Sequence, residues 1–123
     1  MLTVIIDGNN VLETLHLGRG ASLEAAESFM QRLETAAVKK DWEIMMVFDG
    51  RPRFLPRETG PLIVQYAPPR QTADALIERM VYQAQDRSIC AVVTRDRAQA
   101  DLVLGLGGRV WSPKHLLEEL SAE

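Results

Sequence analysis

The chain has 123 residues, 46% of them hydrophobic, which is enough for one domain with a core of its own and too short for two. A formal net charge of −3 excludes a protein that coats nucleic acid by charge alone, but not an enzyme that grips a phosphodiester locally. The single cysteine, Cys90, excludes an internal disulfide and fits a reducing compartment; no run approaches the roughly 20 apolar residues of a membrane span, so a cytoplasmic protein with no membrane partner is expected.

In chain order, Leu2 to Ile6 is a continuous apolar run ended by Asp7-Gly8 and reads as a buried parallel strand rather than a leader peptide. Residues 13 to 21 contain Gly18 and Gly20 and read as a loop. Ser22 caps a helix whose apolar positions are Leu23, Ala26, Met30, Leu33 and Ala37, with Lys39 and Lys40 at its C-terminus. Glu43 to Phe48 is a second strand, ended by Asp49-Gly50, and the three prolines of residues 51 to 61 mark a loop. Leu62 to Tyr66 is a third strand. Thr72 caps the next helix, with a stripe of Leu76, Ile77, Met80, Val81 and Ala84. Ile89 to Thr94 is a fourth strand, followed by Asp96, a short helix from Arg97 to Leu104 and a glycine turn over 105–108. Arg109 to Trp111 is a last short strand, and Ser112-Pro113 opens a final helix through Leu120. Strands alternating with helices predict a single α/β domain over 1–123, a three-layer sandwich with a mainly parallel sheet and helices on both faces.

Three strands run into an aspartate: Asp7, Asp49 and Asp96. The C-terminal ends of parallel strands share one edge, where such folds bind ligands. Asp74, in the first turn of the helix after the third strand, starts from that same edge. Two carboxylates about 5 Å apart repel by roughly 3 kcal/mol at an effective dielectric near 20, and a divalent cation removes the conflict. Oxygen-only ligands suit Mg²⁺ or Mn²⁺; there is no Cys/His set with zinc spacing, and His16 and His115 read as surface residues, His16 with a second reading as a substrate contact because it lies in the loop after the first strand. Taken singly, the Asp-Gly pairs can be turns, Asp74 a helix-dipole partner and Asp96 a helix cap. Substrate contacts are expected from the basic loop that follows Asp49, with Arg51, Arg53 and Arg57, and from Arg95, Arg97 and Thr94 around Asp96. Phe54 in the basic loop is a candidate to stack on an unpaired base.

Ile6-Asp7-Gly8-Asn9-Asn10 resembles the opening strand of NYN domains, a branch of the PIN-like nucleases. Val47-Phe48-Asp49-Gly50 resembles their second acidic strand and Val93-Thr94-Arg95-Asp96-Arg97 their fourth-strand motif, while Thr72-Ala73-Asp74 with Ile77-Glu78 resembles the helix start, and Gly108 to Leu120 the chain ending, of the bacterial YacP-like members. The resemblance implies a PIN-like sheet and Mg²⁺- or Mn²⁺-dependent cleavage of RNA, with Asp7, Asp49, Asp74 and Asp96 as metal-binding carboxylates and Asn10 holding the first segment to the site. It also implies endonucleolytic action, with single-stranded RNA or mRNA as substrate and the ribosome as a further partner. Asn9 replaces the usual aromatic and Arg95 the usual serine, and the chain is shorter than many YacP-like proteins.

Other classes fit less well. A receiver domain needs an acidic pair after the first strand, and a haloacid-dehalogenase-type phosphatase needs a second acid where Asn9 stands. A non-catalytic RNA- or ribosome-binding module of the same fold stays open as the alternative. Residue patterns leave the oligomeric state undetermined.

Overall fold

β1 (Leu2–Asp7), β2 (Trp42–Phe48), β3 (Leu62–Tyr66), β4 (Cys90–Val93) and β5 (Arg109–Trp111) form one fully parallel sheet in the order β3-β2-β1-β4-β5. The computed structural model describes residues 1–18, 20–50, 54 and 57–122. Both faces of the central strands are covered, which is why they carry unbroken apolar runs. Side chains alternate across the sheet. Val4 and Ile6 of β1 join Ile44, Met46 and Phe48 in a core shared with α1 (Gly8–Thr14), α2 (Leu23–Lys40) and α5 (Pro113–Ser121). Ile5, Val47 and Val92 face the other way, against α3 (Ala73–Gln83) and α4 (Arg97–Gly105). The result is the expected three-layer α/β sandwich with helices on both faces.

Chain order and sheet order diverge at β1. The chain moves outward from β1 through β2 to β3, then crosses back to place β4 and β5 on the opposite flank. The strand order thus reverses between β1 and β4, whose paired residues end with Ile6↔Val93. Asp7 lies one residue beyond that last pair and beside Val47 of β2.

The caps hold the helices as read from sequence. Ser22 Oγ accepts from the Ala25 N–H at 3.1 Å, Thr72 Oγ1 from Ala75 at 3.0 Å and Ser112 Oγ from His115 at 3.0 Å. Several details differ from the sequence reading. Leu23 is 53% exposed, and the core face of α2 is completed by Phe29 and Ala36. Ala84 lies past the end of α3, and Ile89 belongs to a 3₁₀ turn, Arg87–Ile89, that precedes β4. The largest addition is α1, which begins where only a turn and a loop were expected. Gly-Asn-Asn is a weak helix opening; burial of Val11 and Leu12 in the core makes up for it. Gly8 has a separate reason to be glycine: a Cβ there would stand 2.6 Å from the Phe48 ring. Cys90 is buried, and burial pushes its thiol up, which keeps it unreactive. Among the described residues no helix is long and apolar enough to cross a membrane.

Candidate active site

All four aspartates lie at the C-terminal edge of the sheet or at helices that start there. Asp7 is the last residue of β1, Asp49 follows β2, Asp96 caps α4 and Asp74 is the second residue of α3. Asp7 follows Ile5 on the α3/α4 face, so the site leans toward that side of the sheet. Only Asp7 is buried, at 6% exposure.

A hydrogen-bond circuit links the elements around this edge. Asp49 Oδ1 accepts from the Ala73 N–H at 2.7 Å, tying β2 to the start of α3. The Asp49 N–H donates to Asn9 Oδ1 at 2.7 Å, and the Arg95 N–H donates to Asn10 Oδ1 at 2.8 Å. The two asparagines at the head of α1 thus pin the ends of both strands that flank β1. Thr94 Oγ1 accepts from the Asp96 N–H at 3.0 Å, and Asp96 Oδ1 accepts from the Gln99 N–H at 3.2 Å. Gln99 closes the circuit: its Nε2 donates to Asp74 Oδ1 at 2.9 Å.

Electrostatics place the four acids in one neighbourhood. Burial pushes the Asp7 carboxyl up from 3.8 to about 6, and the charges of Asp74, Asp49 and Asp96 push the same way, against an opposing Asn10 backbone N–H. Asp74 is also raised, first by burial and then by Asp96, Asp49 and Glu78. Ionised carboxylates gathered in this way destabilise one another unless a cation joins them.

The donor chemistry fits a hard divalent cation, but the side chains do not form a closed cage. Among the described residues no three His, Cys, Asp or Glu side chains stand in an arrangement that would hold a metal ion as they are. One oxygen each of Asp49, Asp74 and Asp96 is held by a local donor. Drawing these carboxylates together is favourable only around opposite charge. A second observation points the same way. Gln99 is 4% exposed, and its buried Oε1 has no hydrogen-bond partner among the described residues. A buried carbonyl left unpaired costs about 1–3 kcal/mol, and this one shares its amide with the nitrogen that holds Asp74.

The structure redistributes the expected substrate contacts. Arg95 and Arg97 are exposed on either side of Asp96, as the sequence suggests. Arg51 and Arg53 lie outside the described residues. Arg57 is a correction: its guanidinium reaches Glu27 at 2.8 Å and Glu34 at 3.5 Å, and lies 3.1 Å from Met30 Sδ. It fastens the loop to α2, on the sheet face away from the acids. Phe54 is also a correction. It is 6% exposed and packs on the Phe48 ring at 5.6 Å, so no base can stack on it. Thr94 is 3% exposed, and its hydroxyl accepts from the Asp96 N–H instead of meeting solvent. Gln99 and Asn9 were not assigned roles from sequence. Gln99 was legible there, because Asp96-Arg97-Ala98-Gln99 has the spacing of a capping box.

Residues 4–123 match the family model described as the YacP-like NYN domain. None of the curated proteins compared matches the chain. Among solved structures, the chain is similar to the crystal structure of Rae1 (YacP) from Bacillus subtilis, at 22% identity and a TM-score of 0.77, over 98% of this chain and 74% of that one. A point mutant of the same protein gives 21% identity and a TM-score of 0.76, over 98% and 75%.

Proposed function

The chain belongs to the YacP-like NYN domain family, and from that premise we propose that it is an endoribonuclease that requires Mg²⁺ or Mn²⁺. The observation that supports this reading is the set of four acids at one sheet edge, with Asp7 raised to about 6 by burial and by the other three charges. An acid kept at such a cost has a use that depends on its charge.

In this reading Asp7 and Asp96 would hold the ion directly, and Asp49 and Asp74 would complete its shell directly or through water. An ion bound there would lower the pKa of a coordinated water and offset charge on the scissile phosphate. Asn9 and Asn10 hold the β2 and β4 connections against α1 and so keep Asp49 and Asp96 in register with Asp7. Arg95 and Arg97, exposed beside Asp96, supply forked donors for RNA phosphates. Cleavage in line with the leaving oxygen gives 5′-phosphate and 3′-hydroxyl ends. Single-stranded mRNA, including mRNA on ribosomes, is the substrate class this reading favours.

The test is cleavage of end-labelled single-stranded and structured RNA with Mn²⁺, with and without chelator. Internal cuts that chelator abolishes, and that Asp7→Asn and Asp96→Asn slow at least about 100-fold, are expected. Wild-type rates in both variants would refute the reading.

A further inference from the structure

The sheet's strand order reverses between β1 and β4, and in open α/β sheets the crevice at such a reversal is where ligands sit. A crevice is present at this position. Asn10, Glu13, Thr14 and His16 form one wall, from α1 and the turn after it, and Arg95 and Asp96 form the other. Its volume is about 570 Å³, within the usual range of roughly 300–1,000 Å³ for small-ligand sites.

The walls divide by chemistry. Asn10 and Thr14 are engaged: Asn10 Oδ1 accepts from the Arg95 N–H, and Thr14 Oγ1 donates to the Asn10 carbonyl at 2.9 Å. These bonds fix both walls. Among the described residues no hydrogen bond or ion pair engages the side chains of Glu13, His16 or Arg95. His16 lines the crevice from the turn after α1, with a left-handed backbone of φ 58° that histidine, like asparagine and aspartate, adopts more often than most residues. The crevice therefore offers one unpaired guanidinium on a backbone anchored to Asn10, one imidazole face and one carboxylate, beside an acid proposed to hold the metal.

We propose that this crevice is a subsite for one nucleotide of single-stranded RNA next to the cleaved bond, with Arg95 on its phosphate and with His16 and Glu13 meeting its base. The inference rests on the nuclease reading above and adds to it the route of the strand. The RNA crosses the edge at the β1/β4 reversal, away from the loop that Arg57 fastens to α2. Phosphate is excluded from the Glu13 side by like charge, which orients the nucleotide with its backbone on Arg95. A carboxylate accepts hydrogen bonds and donates none, so Glu13 favours a base edge that presents N–H donors. The imidazole of His16 supplies a stacking face for an unpaired base.

The experiment is steady-state cleavage of a randomised single-stranded RNA with Mn²⁺, with cut sites sequenced and Mn²⁺ affinity measured separately. The variants are Arg95→Ser, His16→Asn and Glu13→Gln, with Arg32→Ala on the exposed side of α2 as control. Asparagine tolerates the left-handed backbone at 16, which keeps that variant folded. Arg95→Ser and His16→Asn are expected to raise KM about tenfold each, with kcat and Mn²⁺ affinity within about twofold. Glu13→Gln is expected to change the base preferred beside the cut, and Arg32→Ala to change nothing. Unchanged KM and base preference in all three crevice variants would overturn the subsite while the nuclease reading stands. A wild-type protein that cuts no RNA would remove both.

Discussion

The two ends of the sheet treat acids in opposite ways. At the N-terminal end, Asp86 caps the 3₁₀ turn before β4. The Ser88 hydroxyl and N–H hold its carboxyl below the usual range. The neighbouring cavity, about 420 Å³, is lined largely by apolar side chains such as Ile5, Met45, Met80 and Ile89. At the C-terminal end, Asp7 is pushed up by burial and by Asp74, Asp49 and Asp96, and Asp74 by burial and by Asp96, Asp49 and Glu78. Asp86 is an acid whose charge the fold stabilises, as a structural cap requires. Asp7 is an acid whose charge the fold opposes, which at neutral pH a counter-ion from outside would relieve.

That contrast is open to direct attack. The largest effect on stability should come from Asp7→Asn. The folded Asp7 value, about 6, lies above the ordinary 3.8. Its neutral form therefore stabilises the native state fully below pH 3.8, and that contribution is lost as pH rises through 6. In ion-free buffer at pH 8, Asp7→Asn should raise the unfolding free energy by about 2–3 kcal/mol, with the difference shrinking toward pH 4. Urea unfolding at the two pH values measures it, and a destabilised variant at pH 8 would break the comparison. Next, Mn²⁺ at 100 times its Kd should stabilise the wild type by about 2.7 kcal/mol through mass action, seen as a rise in Tm that chelator reverses. Asp86→Asn should leave that rise unchanged. Gln99→Ala frees Asp74 and removes the buried amide, and should weaken Mn²⁺ binding about tenfold by titration calorimetry. The smallest effect belongs to Asp86→Asn. Its folded value is depressed, so its contribution is present above pH 3.8 and lost as pH falls. A slight loss of stability at pH 7 is expected in the same urea experiment.

Much of this layout was legible in the sequence because strand and acid are adjacent there. Val4-Ile5-Ile6-Asp7 and Met46-Val47-Phe48-Asp49 state both the buried strand and the residue at its end, and a parallel sheet brings such ends together. α1 was not legible, because its opening residues disfavour a helix and only burial of Val11 and Leu12 supports it. Arg57 was misplaced because it follows Asp49 in the chain. Its bridge to Val64 and its pair with Glu27 carry it to the other face of the sheet. Phe54 likewise has an aromatic side chain that suits RNA or core equally, and Phe48 and Tyr66 decide for the core. The role of Gln99 depends on a contact between α3 and α4 that no local pattern encodes, although its capping position was visible.

The most direct measurement is Mn²⁺ binding to the ion-free protein at pH 6, followed by calorimetry together with proton release. The wild type should take up the ion and expel a fraction of a proton, because Asp7 is about half protonated there. Asp7→Asn and Asp96→Asn should lose the binding. Equal Mn²⁺ affinity in the wild type and both variants would contradict the account.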